Sequence, residues 1–384
     1  MISAARLAWL QLRRQKVRLV VAVAGVGFAV TLMFMQIGFQ DALFKSSVNV
    51  HKGFRADLVL TDPTYSFIAR PTRFPRRRLY QALAIDGVAS VTPIYANMAN
   101  WKDPRTGASR TIFVLGVDPD AGAFDVAIER SDWSALRLPD VVLFDESSRP
   151  EFGPVPALFR TDGAVSTEVN NRRVAVVGLF QLGTSFGIDG TLLTSDLNFR
   201  RIFPLASAGG IVFGLVRLVP GADPIAVRDA LTAALPADVH VHTKDQLMQR
   251  EVDYWATATP IGFVFTFGVA MGLIVGMIIV YQILFADISD HFAEYATLKA
   301  MGYSNGYLAW LVVIEATILA FVGFVPAVAL CFELFAVARR ATLLPTEVSA
   351  VRALEVLGMT LVMCWGSGLI AIRKLRSADP ADVF

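Results

Sequence analysis

The sequence has no G-x-x-x-x-G-K-[ST] run, so no loop in it can cradle nucleotide phosphates on backbone N–H groups. Any nucleotide energy the protein uses must come from another chain. Cysteine is almost missing: Cys331 and Cys364 both lie in apolar runs, so the long polar segment has no internal disulfide and no thiolate metal site. An excess of one charge is missing too. A net charge of +2 leaves no basic surplus for a phosphate backbone, which argues against nucleic acid as a partner. No nucleophile stands beside a base, so the chain does not read as an enzyme. His240 and His242 lie two apart on an expected strand and face one way, as two metal ligands would, but no third ligand is near and no metal is expected. Asp145 and Glu146 adjoin Arg149 and Glu151. Neighbours on a strand point to opposite faces, so the group reads as a solvated loop with a local ion pair rather than an acid/base pair.

What the chain does have is apolar residues, at 54% with a mean hydropathy of +0.52, too many for a soluble protein and too mixed for one wholly within a membrane. Four apolar runs are long enough to cross a ~30 Å hydrocarbon layer. The expected division is an amphipathic helix at 1–18, spans at 19–40, 258–286, 308–335 and 353–372, a polar domain at 41–257, an elbow at 287–307, a short loop at 336–352 and a tail at 373–384. Arg6, Arg13, Arg14, Lys16 and Arg18 precede the first span, and Arg373, Lys374 and Arg376 follow the last. Both ends are therefore expected in the cytoplasm, with the polar domain outside. The first span has a basic start like a signal peptide, but its apolar core is longer and no small-x-small cleavage site follows, so it reads as an uncleaved anchor. The spans carry too few polar residues to line an aqueous pore.

Within the polar domain, strands are expected at 56–60, 89–95, 111–117, 141–144, 174–180 and 211–219, and helices at 75–84 and 224–235. Strand, helix and strand over 58–95 parallel strand, helix and strand over 211–242, as two βαβ-like units. They predict an α+β domain in which a β-rich subdomain, 101–208, is inserted into an α/β subdomain made of 41–100 and 209–257. His242, Thr243 and Lys244 are expected to begin a helix that runs through Gln249 and on into the second span.

The elbow reads DISDHFAEYATLKAMGYSNGY. Asp287, Ser289 and Asp290 are candidates to cap its helix, Lys299 falls in the last turn, and Gly302 stands at the left-handed cap position. Ser304 and Asn305 can cap the third span. Phe292, Tyr295, Ala296 and Lys299 share one flank, whereas Leu298 and Met301 point elsewhere. The elbow is built either to be pushed by a soluble partner or to lie on the bilayer surface.

In the second span, Gly268, Gly272 and Gly276 form a stripe for close helix packing, against Gly25 and Ala29 of the first span or against a second copy of the same helix. Glu315 lies within the third span and is costly there unless paired, protonated or wetted; it is either a relay carboxylate or a packing hydrogen bond. Pro326 is expected to kink that span.

This arrangement, with EYATLKAMGYSNGYL between the second and third spans, resembles the FtsX/MacB-type ABC permeases of the mechanotransmission, or type VII, class. Within it the chain is similar to the DevC group, through KVRLVVAVAGVGFAVTLMFMQIGFQDALF, FPRRRLYQAL, FDESSRPEFGP, VVGLFQLGTSFGIDGTLLTSDLNF and RSADPADVF. The resemblance implies a homodimer in the inner membrane and a porter-plus-sabre periplasmic domain. It also implies a coupling helix, Phe292, Glu294, Tyr295, Leu298, Lys299, Met301 and Gly302, seated on a DevA-like ATPase that binds ATP and magnesium. A DevB-like adaptor and a TolC-like outer-membrane channel would complete the assembly, with a lipid or glycolipid-like amphiphile as cargo. The competing implication is an FtsX-like signal transmitter that activates a cell-wall hydrolase.

Overall fold

The structure, a computed structural model, describes residues 16–205 and 210–376. Most of the expected helix at 1–18 and most of the tail at 373–384 lie outside the described residues. Two compact units are present, one of long helices and one spanning Leu43–Thr259.

The helical unit is made of Lys16–Ser47, Pro260–Asp290, Asn305–Thr342 and Ala350–Arg376, each containing a stretch long and apolar enough to cross a membrane. Each runs past its expected span at one end or both, the second only at its C-terminal end. The third does so because Arg339 and Arg340 extend its last turn, where cations favour the negative end of the helix dipole. The loop expected at 336–352 therefore shrinks to residues 343–349. Arg352 lies inside the fourth helix and pairs with Asp41 of the first. Pro326 is carried within a helix assigned without a break, so it does not end the span. Val26, Ala29, Met33, Leu284, Val312, Leu319, Cys331 and Met363 meet in one buried cluster. The second span is the least buried, and Phe263, Phe267, Ile274 and Ile278 stay exposed along one stripe.

Among the described residues the other unit has ten strands: β1 Leu58–Thr61, β2 Val88–Lys102, β3 Ser109–Val117, β4 Ile128–Glu129, β5 Val141–Asp145, β6 Val165–Val169, β7 Arg172–Phe180, β8 Thr191–Ser195, β9 Phe213–Leu218 and β10 His240–Thr243. Their order is β10-β1-β9-β2-β3-β8-β5-β7-β4, with β6 beside β2 and β7. In the part β10-β1-β9-β2 every neighbour is antiparallel, so the two βαβ-like units interleave as a split βαβ pair. Helices Arg77–Leu83 and Pro224–Ala234 cover one face, packing Leu79 and Leu231 with Leu58, Leu60 and Val216. Val59, Phe213 and Leu215 project to the opposite face, where Phe54, Tyr65 and Leu247 cover them. Burial on both faces explains why β1 reads as a continuous apolar run. Gly214 is required here, since a Cβ would stand 2.4 Å from Leu79 Cδ2.

The division expected at residues 100 and 101 falls inside a strand. β2 pairs with β9 from Val88 to Ile94 and with β3 from Tyr95 to Lys102, so the inserted strands continue the same sheet. A second difference concerns the helix at residue 244. Lys244–Asp253, closed at its start by a Thr243–Gln246 capping box, passes into a π-type turn over Tyr254–Ala258 and stops. Thr259 is extended, as a residue before proline must be, and Pro260 opens the second span.

Candidate functional site

The elbow is a separate nine-residue helix, Phe292–Ala300, joined directly to the second span at His291 and closed at its C-terminal end. The second span runs on to Asp290 because its buried seam continues through Leu284 and Ile288. Asp287, Ser289 and Asp290 thus lie in its last turns and do not cap the elbow; Ser289 Oγ donates back to the Phe285 carbonyl at 2.7 Å. The residue before the elbow helix is His291, whose Nδ1 lies 3.5 Å from Asp287 Oδ1. At the far end Gly302, with φ of +91°, closes a Schellman motif: its N–H donates to Lys299 O at 3.0 Å and the Tyr303 N–H to Leu298 O at 3.2 Å. Ser304 Oγ then accepts from the Tyr307 N–H at 3.3 Å and starts the third span. Only two residues, Ser304 and Tyr303, separate the glycine from Asn305, so the elbow has little slack.

Its two faces differ. Tyr295 and Ala296 are buried, and Phe292, Leu298 and Lys299 are half-buried. Glu294, Thr297 and Met301 are exposed, Met301 at 62%. A partner can therefore meet Glu294 and Met301 directly, whereas Tyr295 joins the helix to the bundle. Tyr303 and Tyr307, with ring centroids 4.8 Å apart, and Trp310 at 60% exposure extend the outer face onto the third span. Sequence reasoning missed these aromatics, although their spacing of three and four along a helix was a readable signal.

Beneath the elbow, Glu315 is buried and hydrogen-bonds the buried Asp287 carboxyl, which links the two spans that flank the elbow. Glu315 Oε1 makes no hydrogen bond among the described residues. Burial first, then the nearby acids Glu315, Asp287 and Glu294, push the Tyr295 phenol up, so it remains a neutral hydroxyl on the elbow's inner face.

The glycine stripe packs inside this chain. A Cβ on Gly276 would stand 2.6 Å from Ala29 Cβ and 2.2 Å from Met363 Sδ, and one on Gly268 would stand 2.5 Å from Gln36 Cδ. Gly272 faces Met33 and the Ala29 carbonyl, and a Cβ on Gly25 would meet Ile279 Cγ2 at 2.4 Å. Within this chain the stripe is thus met by the first and fourth spans.

In the sheet unit, Asp145 is fully buried rather than solvated. It ends β5, a strand buried on both faces, and accepts from the N–H groups of Ser147 at 3.0 Å, Leu182 at 3.1 Å and Gly183 at 3.0 Å. Burial pushes its carboxyl up to about 6 against the pull of these donors. Arg149 pairs with neither Asp145 nor Glu146 but with Asp189 at 2.6 Å, and Glu146 pairs with Arg160. Asp145 and Asp189 thus fasten the two ends of the loop at 181–190. His240 and His242 have ring centroids 6.2 Å apart, and no group of three His, Cys, Asp or Glu is placed to hold a metal among the described residues.

A second buried network was not anticipated. His51 Nε2 lies 3.0 Å from Tyr65 Oη, which donates to Glu251 Oε2 at 2.8 Å, and the Ile68 N–H and Trp255 Nε1 also donate to Glu251. Burial pushes Glu251 up to about 7 and lowers His51 to about 3. The signal was present in the sequence: Leu247, Glu251 and Trp255 recur every four residues, which places an acid on a helix's apolar stripe.

Residues 266–380, from the second span through the elbow to the tail, match the family model described as FtsX-like permease C-terminal. No curated protein matches the chain. Among solved structures, the periplasmic region of MacB from Actinobacillus actinomycetemcomitans aligns with a TM-score of 0.37 at 14% identity, covering 53% of this chain and 96% of that one. The extracellular domain of the noncanonic ABC-type transporter YknZ from Gram-positive bacteria aligns with a TM-score of 0.33 at 14% identity, over 49% and 99% respectively.

Proposed function

We propose that this chain is the membrane-spanning permease subunit of an FtsX/MacB-like ABC system of the mechanotransmission kind, driven by a separate ATPase. The observation that carries this reading is the match over 266–380, which brackets a helix clipped between two spans with one face exposed. A push on Glu294, Thr297 and Met301 would pass through Tyr295 and Ala296 into the bundle, because the short joints at His291 and at Gly302 leave the helix little independent swing. The Asp287–Glu315 bond would make the second and third spans answer together.

At the finer level we propose a DevC-type subunit in a plasma membrane, with both termini cytoplasmic and the sheet unit outside. It would work as a homodimer with a DevA-like ATPase that holds ATP and magnesium, a DevB-like adaptor and a TolC-like channel, and it would drive an amphiphile such as a glycolipid outward. Lateral capture of cargo from outside suits spans whose interior is apolar.

The test is ATP hydrolysis by the partner ATPase in lipid, alone and with this protein. Glu294→Lys combined with Met301→Glu alters only exposed positions. The expected outcome is that the wild type changes the ATPase rate and the variant neither binds nor changes it, while its circular dichroism stays the same. An unaffected rate and affinity would reduce the elbow to a surface helix and end this reading.

A further inference from the structure

We propose that a basic cavity beside the end of the first membrane helix binds the phosphate headgroup of an anionic lipid. The cavity, ≈ 340 Å³, is lined by Lys52, Arg55, Arg217 and Lys244 together with Asp57 and Asp125. That volume is at the small end of ligand sites, enough for a headgroup and not for a whole lipid.

The charges in it do not cancel. Arg55 pairs with Asp125 at 2.6 Å, and Asp57 is engaged by the Leu218 N–H at 2.8 Å. Arg217 and Lys244 are held by neutral groups. Arg217 donates from Nε to Arg55 O at 3.0 Å and from Nη2 to Gly122 O at 2.9 Å. Lys244 Nζ donates to Lys52 O at 2.9 Å and Phe54 O at 2.7 Å. Carbonyl oxygens fix where these cations point without neutralising them. Four cations therefore share a concavity with two carboxylates, and two of the four are already immobilised, so binding an anion costs little further ordering.

The position of the cavity selects a lipid over a free anion. The first membrane helix ends at Ser47, and Lys52 lies five residues on, with its Nζ 3.3 Å from the carbonyl of Lys45 in that helix's last turn. One wall of the cavity is thus tied to the last turn of a helix whose 32 residues outrun the ~30 Å hydrocarbon layer, so that turn reaches headgroup depth. The inference is independent of the permease reading, because binding is measured without the ATPase.

The experiment is native mass spectrometry of the full-length, delipidated protein in detergent, titrated separately with phosphatidylglycerol, phosphatidylcholine and inorganic phosphate. Phosphatidylglycerol should be retained about fivefold or more over phosphatidylcholine. Lys52→Glu, at an exposed position, should abolish the preference, and Lys52→Arg should keep it. Asp125→Asn, which removes a negative charge, should strengthen retention, a change of sign that a merely structural role would not produce. Equal retention of the two lipids, or a Lys52→Glu variant identical to wild type, would overturn the proposal. Inorganic phosphate binding with no lipid preference would also overturn it, by showing a site for a free anion.

Discussion

Glu251 occupies a place on its helix where an apolar side chain would be expected, and pH gives access to the consequence. Its carboxyl is raised from 4.5 to about 7 by burial, so the stability it contributes is full below pH 4.5 and lost as pH rises through about 7. Asp145, raised to about 6, acts in the same sense. His51, lowered to about 3, and His242, lowered to about 4, act in the opposite sense; their contribution is full above 6.5 and lost as pH falls. Between about pH 4.5 and 6 the four groups offset one another in wild type. Glu251→Gln removes one of the two carboxyls and leaves Asp145 against the two histidines, so stability should then rise by roughly 3 kcal/mol from pH 4.5 to 6.5. Hydrogen exchange of the slowest amides of β2 in the full-length protein would measure it, and a profile as flat as that of wild type would contradict the assignment. Glu315 makes a comparable case inside the bundle. Glu315→Gln keeps a hydrogen-bond donor facing Asp287 and should preserve assembly. Glu315→Ala removes the bond and opens a cavity, at a cost of about 2–4 kcal/mol, seen as a lower thermal midpoint in detergent.

At the scale of the element, the seam between the first two spans depends on positions that accept no side chain. Gly276→Ala should destabilise the helical unit by about 1–3 kcal/mol, because its new methyl would meet both Ala29 and Met363. Gly358→Ala, where nothing lies within 4 Å, is the matched control and should change stability by less than about 0.5 kcal/mol. Thermal unfolding of the two variants side by side decides the point. Gly302 makes a different demand, through its φ of +91° rather than through space. Gly302→Ala should cost about 1 kcal/mol and loosen the elbow's C-terminal clip, so ATPase stimulation should fall further than the stability loss alone would predict.

At the scale of the whole molecule, the stripe Phe263, Phe267, Ile274 and Ile278 stays exposed while the glycines are packed internally, and it is the face a proposed homodimer would use. With Cys331 and Cys364 replaced, a single cysteine at position 267 or 274 should cross-link two copies in lipid, whereas one at Phe332, exposed on the third span, should not. Equal cross-linking at all three positions would leave the dimer without a defined face. Much of this organisation was legible in the chain. Four apolar runs, the elbow with Gly302 and Ser304 at its end, and two strand–helix–strand units all follow from local period and cap chemistry. The misreadings were of residues whose partners are distant in sequence. Asp145 looked solvated because the N–H groups that satisfy it come from Leu182 and Gly183, and the Asp287–Glu315 bond joins two separate helices.

By itself the sequence determined the apolar runs, the two strand–helix–strand units and the glycine that closes the elbow, because hydrophobic period, proline and glycine act within a few residues. Only the tertiary structure decided that β2 serves two halves of one sheet, that Glu251 is enclosed with His51 and Tyr65, and that the glycine stripe closes on Ala29, Met33, Gln36 and Met363. Pairing register and side-chain partners depend on which distant segments come into contact, and no local rule carries that information.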